Sequence, residues 1–164
     1  MEIPALYLVV LVGSTKGRAA AVAAEVAADL AEAETTVAVV SMDHADEAVV
    51  AGADALVVCT STFGAGGVPV NAQGFLERLE AGAIPCAGKP VGYIGLGDRS
   101  FRDTYNDGWK TLARCFAARG AVAVGEPLLF DAADALPPAE AALRRRERIA
   151  AWTATFLILL AAAG

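Results

Sequence analysis

Short apolar runs alternate along this chain with longer stretches in which alanine and leucine recur at helical spacing. The first run, Leu6–Val12, carries no charge, the pattern of a central strand buried on both faces. Arg18–Ala33 reads as a helix on which Glu25, Asp29 and Glu32 form one solvated stripe. Thr35–Val40 predicts a second strand, and Asp43–Ala51 a short helix with Asp46 and Glu47 in its opening turns. Ala55–Thr60 is a third strand, followed by a glycine-rich loop from Ser61 to Val70 and a helix over Asn71–Glu80. Pro90–Leu96 is a fourth strand that leads into a second glycine-rich loop from Gly97. A helix is expected from about Thr104 to Arg119, stopped by Gly120 as its C′ residue. Ala121–Val124 and Pro127–Phe130 read as one fifth strand broken at Gly125 and Glu126, and a last helix follows Pro137 and Pro138.

Alternating strands and helices imply an α/β fold: a five-stranded parallel sheet, doubly wound, with helices on both faces. Ligands in such sheets bind beyond the carboxyl ends of the strands, so the loops after strands one, three and four are the places to look for chemistry. A length of 164 residues predicts one domain over residues 1–164. The sequence holds 38 alanines, which points to helices packed closely on the sheet rather than to an aromatic-rich core. Cys59, Cys86 and Cys115 lack C-x-x-C spacing, which argues against a disulfide scaffold or a structural zinc site and fits a reducing cytoplasm. Cys59, at the end of a buried strand, is expected to pack as a small hydrophobe.

A net charge of −6 disfavours general nucleic-acid binding. That charge is uneven: residues 1–80 carry 11 acids against 3 bases, residues 81–164 carry 8 against 10. Glu2 in place of a basic segment speaks against a signal peptide. The uncharged stretch from Ile149 follows the basic run Arg144–Arg148, but it is shorter than the roughly 20 residues of a bilayer span, so a buried last helix is expected. Trp152 is expected to anchor that helix, the basic run to form its solvated face and His44 to lie on the surface.

The first of the three loops reads Gly13-Ser14-Thr15-Lys16-Gly17-Arg18-Ala19 and opens directly into a helix. Free N–H groups at the helix start, two hydroxyls, a permissive glycine and two basic side chains suit an anion such as phosphate. A purely structural alternative is that the hydroxyls cap the helix and the glycines serve the turn. Neither a Walker A loop nor G-x-G-x-x-G is present, and the acids of a phospho-accepting domain are absent from this position. After strand three comes Ser61-Thr62-Phe63-Gly64-Ala65-Gly66-Gly67, and after strand four Gly97-Asp98-Arg99-Ser100-Phe101-Arg102-Asp103-Thr104-Tyr105-Asn106. Each presents a phenylalanine among glycines, a pair able to clamp a planar ring or simply to plug its own loops.

GSTKGRA at 13–19, STFGAGGVPVNA at 61–72 and GLGDRSFRDTYNDG at 95–108 together resemble the flavodoxin family, most closely its MioC-type members. They are similar also to the FMN domains of cytochrome P450 reductase and sulfite reductase. The resemblance implies a flavodoxin-like three-layer sandwich of strand order 2-1-3-4-5, with FMN as cofactor. It implies that Ser14, Thr15 and Gly17, with backbone amides as far as Ala19, hold the phosphate, while Lys16 and Arg18 add charge or point into water. Phe63 and Phe101 would flank the isoalloxazine ring, where the family commonly has Tyr, Trp or His. Backbone around Ser61, Thr62, Gly64, Ala65, Gly66, Leu96, Gly97 and Asp98 would reach the ring edges, with Arg102, Asp103 and Tyr105 along the rim. A hydroxyl residue usual in the family is missing at Lys16, and often another at Ala19.

The function this implies is single-electron transfer, with the Gly64 peptide free to turn its carbonyl toward the ring. Asp98, Asp103 and Asp131 are expected to disfavour added negative charge there. With no reductase-type FAD or nicotinamide segment in the 164 residues, electrons are expected from a separate flavin reductase or ferredoxin-type reductase and go to a redox acceptor protein. Two other functions remain open at this point: an FMN-dependent NAD(P)H:quinone reductase, and a flavodoxin-like module without redox activity.

Overall fold

The computed structural model describes residues 6–14, 17–62, 67–97, 107–131 and 136–163. Its strands are β1 (Tyr7–Gly13), β2 (Thr36–Ser41), β3 (Ala55–Ser61), β4 (Pro90–Gly97), β5 (Val122–Ala123) and β6 (Leu128–Asp131). Its α-helices are α1 (Arg18–Ala31), α2 (Glu47–Gly52), α3 (Val70–Glu80), α4 (Asp107–Ala118) and α5 (Pro138–Ala163). Every strand pair is parallel, in the order β2-β1-β3-β4-β5, with β6 also paired to β4. This is the α/β sandwich and strand order that the resemblance implied.

Side-chain alternation along the strands divides the interior into two cores. Leu8, Val10 and Val12 of β1, with Val57, Cys59 and Ile94, face α1 and α5. Val9 and Leu11, with Leu56, Val58 and Tyr93, face α3 and α4. α1 contributes Ala19, Val22, Ala23, Val26 and Leu30, a helical stripe of small and branched residues that lets the helix lie close to the sheet. The opposite core departs from the expectation of few aromatics: Phe75 and Phe116 lie 6.0 Å apart, and Tyr93 and Trp109 also 6.0 Å. The α1/α5 core also carries rings, Phe130 and Phe156 with Trp152 packed against them, so both faces of the sheet combine small residues with aromatics.

Several expectations change in detail. The first helix stops at Ala31 rather than Ala33, because the chain turns through Glu34 at φ 61° to enter β2. The single helix expected over Asp43–Ala51 divides into a 3-10 turn, Met42–His44, and α2, whose first turn is capped by Asp46 accepting the Val49 N–H at 2.9 Å. Gly120 is the expected C′ residue, at φ 89°, with the Ala121 N–H bonding back to Phe116 O. The fifth strand position holds two short strands. Between them, five steps from Ala123 to Leu128 oppose three from Val91 to Ile94, so two residues bulge out at the Gly125 turn.

α5 seats over that bulge. Trp152 donates its Nε1 hydrogen to Glu126 O at 2.9 Å and stacks on Phe156, ring centroids 5.1 Å apart. Both rings fit because β4 has Gly92 beneath them, where a Cβ would come within 2.7 Å of Phe156. The basic run is not uniformly solvated, as the sequence suggested. Arg145 grips the Glu25 carboxylate of α1 from 2.9 Å, and Arg148 lies over the Phe130 ring and donates to Leu129 O. His44 is exposed and Cys59 fully buried, as expected. Among the described residues no helix is long and apolar enough to cross a membrane.

Candidate functional site

β1, β3 and β4 end at one level. Gly13 pairs with Thr60, and Ser61 with Leu96, so three strands deliver their following loops to one rim. Hydrogen bonds link the ends: the Ser61 hydroxyl donates to Gly13 O at 3.5 Å, and the Thr62 N–H to Leu96 O at 3.2 Å. Gly13 leaves room for this approach, since a Cβ there would lie 2.5 Å from Thr60 Oγ1. The first turn of α4 closes the third side. Gly108 N–H donates to Thr62 Oγ1 at 3.1 Å, and a Cβ on Gly108 would meet Ser61 O at 2.5 Å.

The start of α1 has the features an anion requires. Its N-cap is a glycine without a side-chain cap and no acidic residue stands in its first turn, so among the described residues no side chain caps its leading N–H groups. Gly17 precedes it at φ 85°, and a Cβ there would meet nothing within 4 Å. The Gly17 N–H donates to Ser14 Oγ at 3.0 Å, closing the loop on itself. Open backbone, a positive helix end and an exposed Arg18 fit a phosphate group.

Of the residues singled out from the sequence, Ser14, Gly17, Arg18, Ala19, Ser61, Thr62, Leu96 and Gly97 lie among those described. Ser14, Ser61, Thr62 and Gly97 gather at the rim, with Gly97 beside the half-buried Asp131 of β6. Ala19 and Leu96 turn their side chains into the α1/α5 core, which leaves their backbone for the site. The Ala19 carbonyl sits 3.4 Å from Cys59 Sγ, and the Leu96 carbonyl already accepts from Thr62. Thr15, Lys16, Phe63, Gly64, Ala65, Gly66, Asp98, Phe101, Arg102, Asp103 and Tyr105 lie outside the described residues.

One residue at the rim was assigned no role from the sequence. Asn71, in the first turn of α3, accepts the Ser14 N–H at Oδ1 (2.9 Å) and donates from Nδ2 to Val12 O (3.1 Å) and Ser41 Oγ (2.9 Å). The Ser41 hydroxyl in turn donates to Asp43, whose carboxyl it holds below the usual aspartate value. The only local sign of this role is a carboxamide in the otherwise apolar turn Val68–Ala72.

Comparison with known proteins agrees with the fold. The sequence pattern of the flavodoxin family, described as Flavodoxin, matches residues 10–144. An uncharacterized protein of Pseudomonas aeruginosa, PA3435, is 30% identical over 133 residues, covering 81% of this chain and 89% of its own length. A cysteine-to-alanine mutant of Pseudomonas aeruginosa flavodoxin superposes with a TM-score of 0.76 at 28% identity, covering 92% of this chain and 99% of that one. The Fusobacterium nucleatum flavodoxin bound to flavin mononucleotide shares the fold, with a TM-score of 0.72 at 18% identity over 91% of this chain and 95% of that one.

Proposed function

The chain belongs to the flavodoxin family, and on that premise we propose that it binds FMN at the β1–β3–β4 rim and carries single electrons between protein partners. The observation that carries this reading is the union at one rim of an anion-ready helix start with the ends of β3 and β4. The backbone N–H groups of Arg18 and Ala19, beyond the Gly17 turn, and the Ser14 hydroxyl would hold the phosphate, while the backbone of Thr62 and Gly97 would border the ring. FMN, when bound, supplies the redox chemistry, and the protein supplies position, access and electrostatics. The Fusobacterium flavodoxin, which binds flavin mononucleotide, supports this cofactor choice.

Within the family we read the chain as a MioC-type carrier, one FMN-binding domain over residues 1–164. Its partners are a separate flavin reductase or ferredoxin-type reductase as donor and a redox protein as acceptor, in a reducing cytoplasm that suits its three free cysteines. The test is a flavin titration of the purified protein followed by anaerobic reduction. One FMN per chain, quenched flavin fluorescence and reduction in separate one-electron steps are expected. Rapid reduction by NAD(P)H alone would instead mark a reductase, and a protein that takes up no flavin would overturn the reading.

A further inference from the structure

We propose that Asn71 is a positioning residue for the phosphate end of the site: it acts through Ser14, and the phosphate-dependent part of FMN affinity depends on it. This inference rests on the FMN-binding reading above. β1 passes its chain to α1 on one face of the sheet, and β3 passes its chain to α3 on the other. Between those diverging connections lies the crevice in which doubly wound sheets bind their ligands. Asn71 reaches across it from α3 to the chain leaving β1, 57 residues away in sequence.

The chemistry permits one orientation of its carboxamide. The Ser14 N–H needs an acceptor and the Val12 carbonyl needs a donor, so Oδ1 must face Ser14 and Nδ2 must face Val12. The second Nδ2 hydrogen goes to Ser41 Oγ at the end of β2. Asn71 thus ties the ends of β1 and β2 to α3 and sets the direction in which the backbone leaves β1. That direction is passed on, because Ser14 Oγ receives the N–H of Gly17, the residue that opens α1. A relay of two hydrogen bonds therefore runs from α3 to the helix start that faces the phosphate. Truncation of Asn71 removes the acceptor of the half-buried Ser14 N–H and a donor to the Val12 carbonyl, and the chain beyond β1 is free to turn the Ser14 N–H toward water.

Riboflavin, which has the ring and ribityl chain of FMN but no phosphate, separates this role from general support of the fold. In the full-length protein, Asn71→Ala is expected to weaken FMN binding at least tenfold and to leave riboflavin affinity within twofold of the parent. A residue that merely stabilises the fold would move both affinities together. Asn71→Leu keeps the side chain's approximate size but can neither accept from Ser14 nor donate to Val12, and the same selective loss is expected of it. It replaces Asn71→Ala should that variant fail the check by circular dichroism and melting of the apoprotein. Equal losses for the two flavins, FMN affinity within twofold of the parent, or failure of both variants to fold would overturn the proposal alone. A parent protein that binds neither flavin would overturn the functional reading and this proposal together.

Discussion

Gly13 and Gly92 both lie in buried strands with no room for a Cβ, yet they serve opposite purposes. Gly92 is an apolar seat, where a Cβ would meet the Phe156 ring at 2.7 Å and the Trp152 ring at 3.0 Å. Those two rings stack on each other with planes 10° apart, so neither yields without the other. Gly13 lies in a polar clasp, and the nearest obstacle is the Thr60 hydroxyl at 2.5 Å, which rotation about one side-chain bond removes. The seat anchors α5 and supports the fold as a whole. The clasp adds little burial and works by direction, aligning carbonyls, amides and hydroxyls at the end of three strands. The apolar anchor of α5 and the proposed site thus occupy two regions of one sheet.

The largest expected effect tests that division directly. Gly92→Ala should cost about 3 kcal/mol, since overpacking against a rigid aromatic pair forces backbone shifts, and Gly13→Ala about 1 kcal/mol. In thermal melts these correspond to roughly 10 °C and 3 °C for a chain of this size. The order should reverse for FMN affinity, with Gly13→Ala the weaker binder. Equal melting losses would break the comparison.

A second, smaller effect concerns Cys59, buried beneath the rim against α1. Burial pushes its thiol up to about 12, so the folded protein keeps that proton after the unfolded chain has released it. Stability is therefore complete below the unfolded value of roughly 8.5 and declines up to about 12, by at most ~1.4 kcal/mol per pH unit. Urea unfolding at pH 8 and pH 10 should show the parent losing about 2 kcal/mol more than Cys59→Ala over that interval. Parallel losses would mean that water reaches the thiol.

The smallest effect belongs to the outer edge of the seat, where Arg145 of α5 meets Glu25 of α1. The pair is bidentate but about a third exposed (38% and 28%), so a double-mutant cycle should return only about 0.5 kcal/mol, reduced further by salt. A coupling above about 2 kcal/mol would make the electrostatic contact, rather than ring packing, the main anchor of α5.

Much of this fold was legible because a strand covered on both faces must be apolar at every position. Val9, Val10 and Leu11 are all fully buried, and a run of that kind leaves few alternatives. Gly120 was legible as a helix end for a similarly local reason, its left-handed backbone. The broken helix near Asp46 was less so, since that carboxylate caps a later turn only when the chain has already bent. Arg145 and Arg148 read as solvated because Glu25 and the Leu129 carbonyl arrive from elsewhere in the chain.

At the site, the first loop's composition suggested an anion, and the features behind that reading, a helix start and a glycine turn, are local to it. Asn71 was invisible in that sense: its three partners come from β1, the loop after it and β2, and none is a sequence neighbour. Order along the chain, with its period and its glycines, determined the elements and their sheet, because burial and backbone freedom act residue by residue. Which polar group meets which was decided by tertiary structure alone. A hydrogen bond depends on direction and distance between residues that the fold must first bring together.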